Sequence, residues 1–249
     1  MKIPISVNQG TFLKSLDFFK DKKLFVYLWL VCLLGAWASI PYQVFLMDLS
    51  TTTLNISLLW QTTLGEGIIS GVACFSSFYI LPKTDLKPFF VKNAMREVIY
   101  PGVISGIFCG LLVHFLLFKG TVLSSVLSRA PAWAGSLASI NAAFNQEVLF
   151  RLFLFSLIFF LINKCFKNYR NYRWQILWSA NIISALIFGI SHLPGGLAAG
   201  ISSGFDIFQV LYLNTLISLV FGWLFFSRGF WAASLAHGFL AITLHGFFA

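Results

Sequence analysis

The chain has 249 residues, of which 58% are hydrophobic and only 10% charged, with 29 Phe, 8 Trp and a formal net charge of +9. A soluble domain carries about 25% charged residues, and a chain this apolar could not cover its own surface with polar groups, so a soluble enzyme or binding module is excluded. The positive charge would suggest a nucleic-acid partner in a soluble protein, but here Lys and Arg occupy short links between apolar runs, a topology signal that argues against nucleic acid.

The mean hydropathy of +0.84 comes from separate apolar runs of ~20 residues, each long enough to cross ~30 Å of hydrocarbon as a helix. Their lack of alternation rules out a barrel, so the fold class is all-α: a polytopic membrane helical bundle with about seven transmembrane helices. Residues 1–23 carry Lys2, Lys14, Lys20, Lys22 and Lys23. This resembles the charged start of a signal peptide but leads into a run too long for one, and a retained first span is expected. The spans fall at about 24–47, 57–81, 98–118, 132–163, 174–193, 206–227 and 229–248. The fourth exceeds the bilayer, which predicts an interfacial lead-in from Pro131 to about Ser139 before the true span.

Alternate links differ in charge. The N-terminal lysines, then Lys83, Lys87, Lys92 and Arg96, then Lys164, Lys167, Arg170 and Arg173, and finally Arg228 fall on one side, against Lys119 and Arg129 on the other. The positive-inside rule makes this a multi-pass cell-membrane protein with its N-terminus cytoplasmic and its C-terminus outside. Residues 1–130 form three N-terminal membrane spans and residues 131–249 the remainder of one integrated membrane domain. Cys32, Cys74, Cys109 and Cys165 lie in or beside apolar segments without paired spacing and read as apolar fillers.

An ionisable residue at mid-membrane costs at least ~2.5–3.5 kcal/mol, so those within the spans are where function is expected. Span four carries Gln146, Glu147 and Arg151, span five ends with His192, span seven carries His237 and His245, and Glu66 and His114 lie in spans two and three. Glu147 and Arg151 are four apart in the favourable order for an intrahelical pair that braces the helix. Gln146, rotated about 100° from Glu147, can face a cavity while that pair packs against a neighbouring helix. Asn181, Phe188 and His192 share one face of span five, and His237, Ala241 and His245, with Ser234 nearby, one face of span seven. Together these predict an inward-facing hydrophilic pocket.

Three stretches resemble motifs of the CAAX protease and bacteriocin-processing family, the glutamate-dependent intramembrane endopeptidases. EExxxR appears as Gln146-Glu147-Val148-Leu149-Phe150-Arg151, FxxxH as Phe188-Gly189-Ile190-Ser191-His192, and HxxxN as His237-Gly238-Phe239-Leu240-Ala241, after the approach Ser227–Leu235. The resemblance covers about residues 130–245 and implies a CAAX-protease-like core over 131–249. It also implies a water held between the first motif's leading glutamate and His192, with the His and Asn of the third motif holding the oxyanion. Two positions depart from it. Gln146 replaces the leading glutamate, and an amide does not accept a proton from water. Ala241 replaces the asparagine, a loss that can cost ~10²–10³ in rate unless His245 or Ser234 supplies a donor.

Three readings of Gln146 stand at this stage: an engineered inactivating change, a natural variant with Glu147 as base, or a family member without protease activity. The resemblance implies an endopeptidase cutting a peptide or protein, lipidated or not, near the cytoplasmic face, with membrane lipid as its other partner. The alternative is a non-catalytic member acting as a bacteriocin-immunity or regulatory membrane protein. A carrier with Glu66, His114 and His245 as a relay has less support, since no repeat or interrupted helix pair is visible. No cofactor is expected, although zinc held by His192 and His237 with a carboxylate is chemically conceivable. Counted from their basic flanks, Gln146 and His192 lie about 18 residues deep but His237 only about nine, so either spans four and five project beyond the bilayer or the boundaries differ.

Overall fold

The computed structural model describes residues 22–47, 56–116, 122–166 and 169–247, which are helical with no strand among them. Lys2, Lys14, Lys20, Lys119 and Lys167, used in the topology argument, lie outside the described residues. The first two spans are α1 (Lys22–Leu46) and α2 (Ile56–Ile80). A π-helical turn, Met95–Ile99, opens into α3 (Tyr100–Leu116), and the short α4 (Val122–Leu127) follows. One continuous helix from Ala132 to Cys165 comprises α5 (Ala132–Asn141), two π-helical stretches (Ala142–Gln146 and Val148–Phe155) and α6 (Ser156–Cys165). Then come α7 (Arg173–Ser191), the short α8 (Leu193–Ala198), α9 (Gly204–Arg228) and α10 (Phe230–Ile242), which runs on into a π turn, Thr243–Phe247.

Six of these helices are long and apolar enough to cross a membrane. The seventh expected span, 229–248, forms α10 and its π turn, the helix around which the others pack: its main neighbours are α3, α9 and α5. Closeness to α3 depends on small residues. Gly102, Gly106 and Gly110 recur one turn apart along α3, and a Cβ at any of them would strike the backbone or side chains of Ala232, Ala236 or Thr243. Without a hydrophobic force between helices in lipid, such close backbone approach is what dispersion packing needs.

The 34-residue helix departs from the expected interfacial lead-in. Ala132–Asn141 packs inside the bundle against α1 and α10, with Gly135 set directly on the His245 backbone and Gly35 of α1 on Asn141. Its far end, at Lys164 and Cys165, is exposed. There α10 begins deeper than α6 and α7 end. Gly229, at φ 96°, turns the chain out of α9, and the Phe230 N–H donates to the Pro88 carbonyl at 2.7 Å. The 81–93 link thus folds under the start of α10, where Phe89 packs on Phe78, Phe230 and Trp231.

The links carrying the basic residues meet at this same end. Asp85, Lys87, Lys92, Arg170, Arg173 and Arg228 line one surface hollow, bridged by an Arg173–Asp85 ion pair at 2.6 Å. Core residues from both halves of the chain form one continuous apolar cluster, including Leu28, Cys74, Phe155, Phe221 and Leu240.

Candidate active site

The motif-bearing residues of the long helix sit where its hydrogen bonding changes to the wider π pattern, a distortion found often at functional sites. The change leaves Gln146 and Glu147 on different faces, as expected from their 100° offset, and their surroundings are unlike. Gln146 is half-buried and lines a cavity of about 550 Å³, together with His192, His237, Ala241 and His245. Glu147 and Arg151 are fully buried and do not line it.

Behind the cavity wall these two make a dry polar layer. Glu147 Oε1 accepts from Nδ1 of His237 at 2.8 Å, and its Oε2 is 3.5 Å from Arg151 Nε, an ion pair longer than a hydrogen bond. Arg151 donates to Ser218 of α9 at 2.8 Å and to Ser184 of α7 at 3.4 Å, and Ser184 Oγ donates on to the Phe150 carbonyl at 2.9 Å. The guanidinium also lies over the Phe188 ring, 5.5 Å from its centroid. One cation therefore ties three helices together, and Phe221 and Phe188 flank the His237 ring at 4.7 and 5.7 Å. Stripping either charge would leave the other buried and unpaired, which costs about 3–5 kcal/mol.

His192 stands at the end of α7, where its Nδ1 lies 2.8 Å from the Phe188 carbonyl. A carbonyl only accepts, so Nδ1 carries the proton and Nε2 keeps a free lone pair. Phe188 packs edge-on to Phe150 at 4.9 Å, which sets His192 and Gln146, one turn beyond each, on the same wall. His245 holds Tyr42 Oη through Nδ1 at 3.1 Å, bringing α1 to the cavity. Glu66 enters from α2, its Oε2 accepting from Asn145 Nδ2 at 2.8 Å, and it also lines the cavity.

Asn181 does not belong to this wet surface. It is fully buried, donates to the Leu219 carbonyl at 3.0 Å and packs on Gly222, so it locks α7 to α9. Ser234 is buried and absent from the cavity wall; half-buried His114, whose ring packs on Phe115, is absent from it too. Ser184, Ser218, Asn145, Tyr42 and Gln209 escaped the sequence reading. Ser184 could have been found, since it lies one and two helical turns before Phe188 and His192. Asn141 Oδ1, Gln146 Oε1 and both poles of the Gln209 amide are buried beside the cavity without a hydrogen-bond partner among the described residues. Each such group costs about 1–3 kcal/mol unless something polar meets it. Among the described residues no three His, Cys, Asp or Glu side chains are gathered as metal ligands.

The cavity lies at the end of the bundle opposite the basic links. Its wall is built from the last turns of α1, the end of α5 and the π-helical stretches after it, the end of α7, the first half of α9 and the end of α10. A cytoplasmic N-terminus and cleavage at the cytoplasmic face were both expected, and the cavity lies at the end of the bundle away from the basic links on which that orientation rests. Gln146 and His192 are about 18 residues from Lys164 and Arg173, roughly 27 Å at helical rise, which is nearly the whole hydrocarbon thickness.

Fold and site together define a polytopic helical membrane protein with amide and imidazole groups converging on one cavity of the bundle. Residues 128–243 match the family model described as type II CAAX prenyl endopeptidase Rce1-like, the same family that the three motifs in this stretch resemble. The match supports a CAAX-type intramembrane protease kind of function acting on a peptide or protein. No curated protein and no solved structure matches the chain.

Proposed function

We propose that the chamber receives a stretch of peptide or protein, lipidated or not, and that the chain acts on it as a CAAX-type intramembrane endopeptidase with His192 drawing the proton from water. The observation that carries this reading is that Gln146, His192 and His237, from three helices, line one cavity. The Nε2 lone pair of His192 accepts a proton from a water whose second hydrogen is held by the Gln146 carbonyl oxygen. The oxygen attacks the peptide carbonyl. The His237 ring, held at Nδ1 by Glu147, turns its Nε2 edge to the tetrahedral oxyanion, and Arg151 holds Glu147 in place. The proton on His192 then passes to the leaving amine.

Gln146 makes this a slow enzyme, since an amide orients water without basicity, and Ala241 offers the oxyanion no donor. The opposed positions of chamber and basic links favour cleavage on the side away from the cytoplasm, with the N-terminus inside and the C-terminus outside the cell membrane. A second reading, a non-catalytic family member in bacteriocin immunity or regulation, is favoured by Gln146 and Ala241 themselves.

The two readings separate in liposomes. The endopeptidase reading expects slow cleavage of prenylated or unprenylated peptides by the chain as given. Gln146→Glu, alone and with Ala241→Asn, should speed it by about 10²–10⁴. Cleavage by the restored forms only would make Gln146 an inactivating residue, and cleavage by none would leave the non-catalytic reading.

A further inference from the structure

Glu66 comes from α2, outside the residues that match the family. Of the described Asp, Glu, Lys and Arg side chains, it alone lines the chamber. Its carboxylate is aimed by the Asn145 amide, one residue before Gln146, at 2.8 Å, and Asn145 is itself buried, only 4% exposed. This sets the carboxylate beside the position where substrate chemistry is proposed. No ion pair among the described residues engages it. Arg151 is walled off behind Gln146 and spent on Glu147, Ser184 and Ser218. Arg129, at the rim, gives its Nη1 to the carbonyls of Leu46 and Ala199 at 3.1 and 3.0 Å. A membrane-embedded carboxylate is costly without a countercharge, and the lining supplies three imidazoles but no Lys or Arg.

We propose that the Glu66–Asn145 pair is a substrate-binding subsite for a cationic group, a Lys or Arg side chain or a free amino terminus, carried by the peptide that enters the chamber. This rests on the reading of the chamber as a peptide site and narrows the substrate class. Glu66 is bonded to Asn145, the neighbour of Gln146, on the same cavity, so the cation would sit to one side of the scissile bond and orient the peptide. The buried amide of Gln209, unpaired at both poles, offers one donor and one acceptor to the backbone of the same peptide.

The test measures binding, independently of cleavage, in nanodiscs of zwitterionic phosphatidylcholine so that lipid charge does not attract the probe. Acetyl-capped, dye-labelled apolar peptides carry one central Lys, Gln or Glu, and the Gln peptide is also made with a free amino terminus. The Lys peptide, or the uncapped Gln peptide if the cation is the terminus, should bind at least about tenfold more tightly than the capped Gln peptide. Glu66→Gln keeps the acceptor for Asn145 and should abolish that preference while leaving the capped Gln peptide unaffected. Glu66→Lys should shift the preference to the Glu peptide. Equal binding of all peptides, or a cation preference surviving in Glu66→Gln, overturns the subsite and leaves the chamber a peptide site. Binding of none overturns both.

Discussion

Gln146 and Glu147 are adjacent in sequence and face two different media. Glu147, with Arg151, belongs to a layer sealed from the cavity, in which the two pair with each other and reach His237, Ser184 and Ser218 on three other helices. Gln146, with His192 and Ala241, borders a cavity in which several polar atoms have no protein partner. The dry layer holds the imidazole of His237 at a fixed height and tilt. The wet layer leaves Nε2 of His192 and the Gln146 amide free to meet something else. Ionic groups stabilise here where they are enclosed and paired, and can do chemistry where they are half-exposed.

Mutations should separate the layers by what they damage. The largest effect is expected for His192→Ala, which should lower any peptide cleavage by about 10²–10⁴ with unfolding in detergent little changed; an equal loss of thermal stability would mean that His192 is structural. Glu147→Ala should strike stability as well, costing about 3–5 kcal/mol by stranding Arg151, read by denaturant or thermal unfolding. Ser218→Ala should be milder, about 1–3 kcal/mol, because it removes the 2.8 Å acceptor of Arg151 but not its carboxylate. A Glu147→Ala protein as stable as the parent would dissolve the distinction between the two layers.

Much of this was legible in the sequence because the bilayer imposes so simple a length rule. The runs at 57–81 and 206–227 became α2 (Ile56–Ile80) and α9 (Gly204–Arg228) within two residues. The opposed faces of Gln146 and Glu147 followed from one angle. Three features were not legible. The start of α10 depends on a non-local bond from Phe230 to Pro88, which no hydropathy window can show. The π-helical winding of 142–155 breaks the 3.6-residue period that a helical wheel assumes. The pairing of Glu66 with Asn145 joins residues 79 apart, so α2 looked like a plain span with a stray carboxylate. Counting residues inward from the basic flanks also takes the nearer surface as the reference, whereas the cavity lies at the end of the bundle away from those flanks.

The central claim is that one helix carries its charged flank at one membrane face and a wet, reachable Gln146 toward the other. Cys165, exposed at the basic end of that helix, and a Gln146→Cys substitution place two thiols about 19 residues apart on it. In sealed liposomes of uniform orientation, an impermeant thiol reagent should label Cys165 from one side only and the substituted position from the other only. Labelling of both from the same side, or no labelling at position 146 from either, would contradict the account.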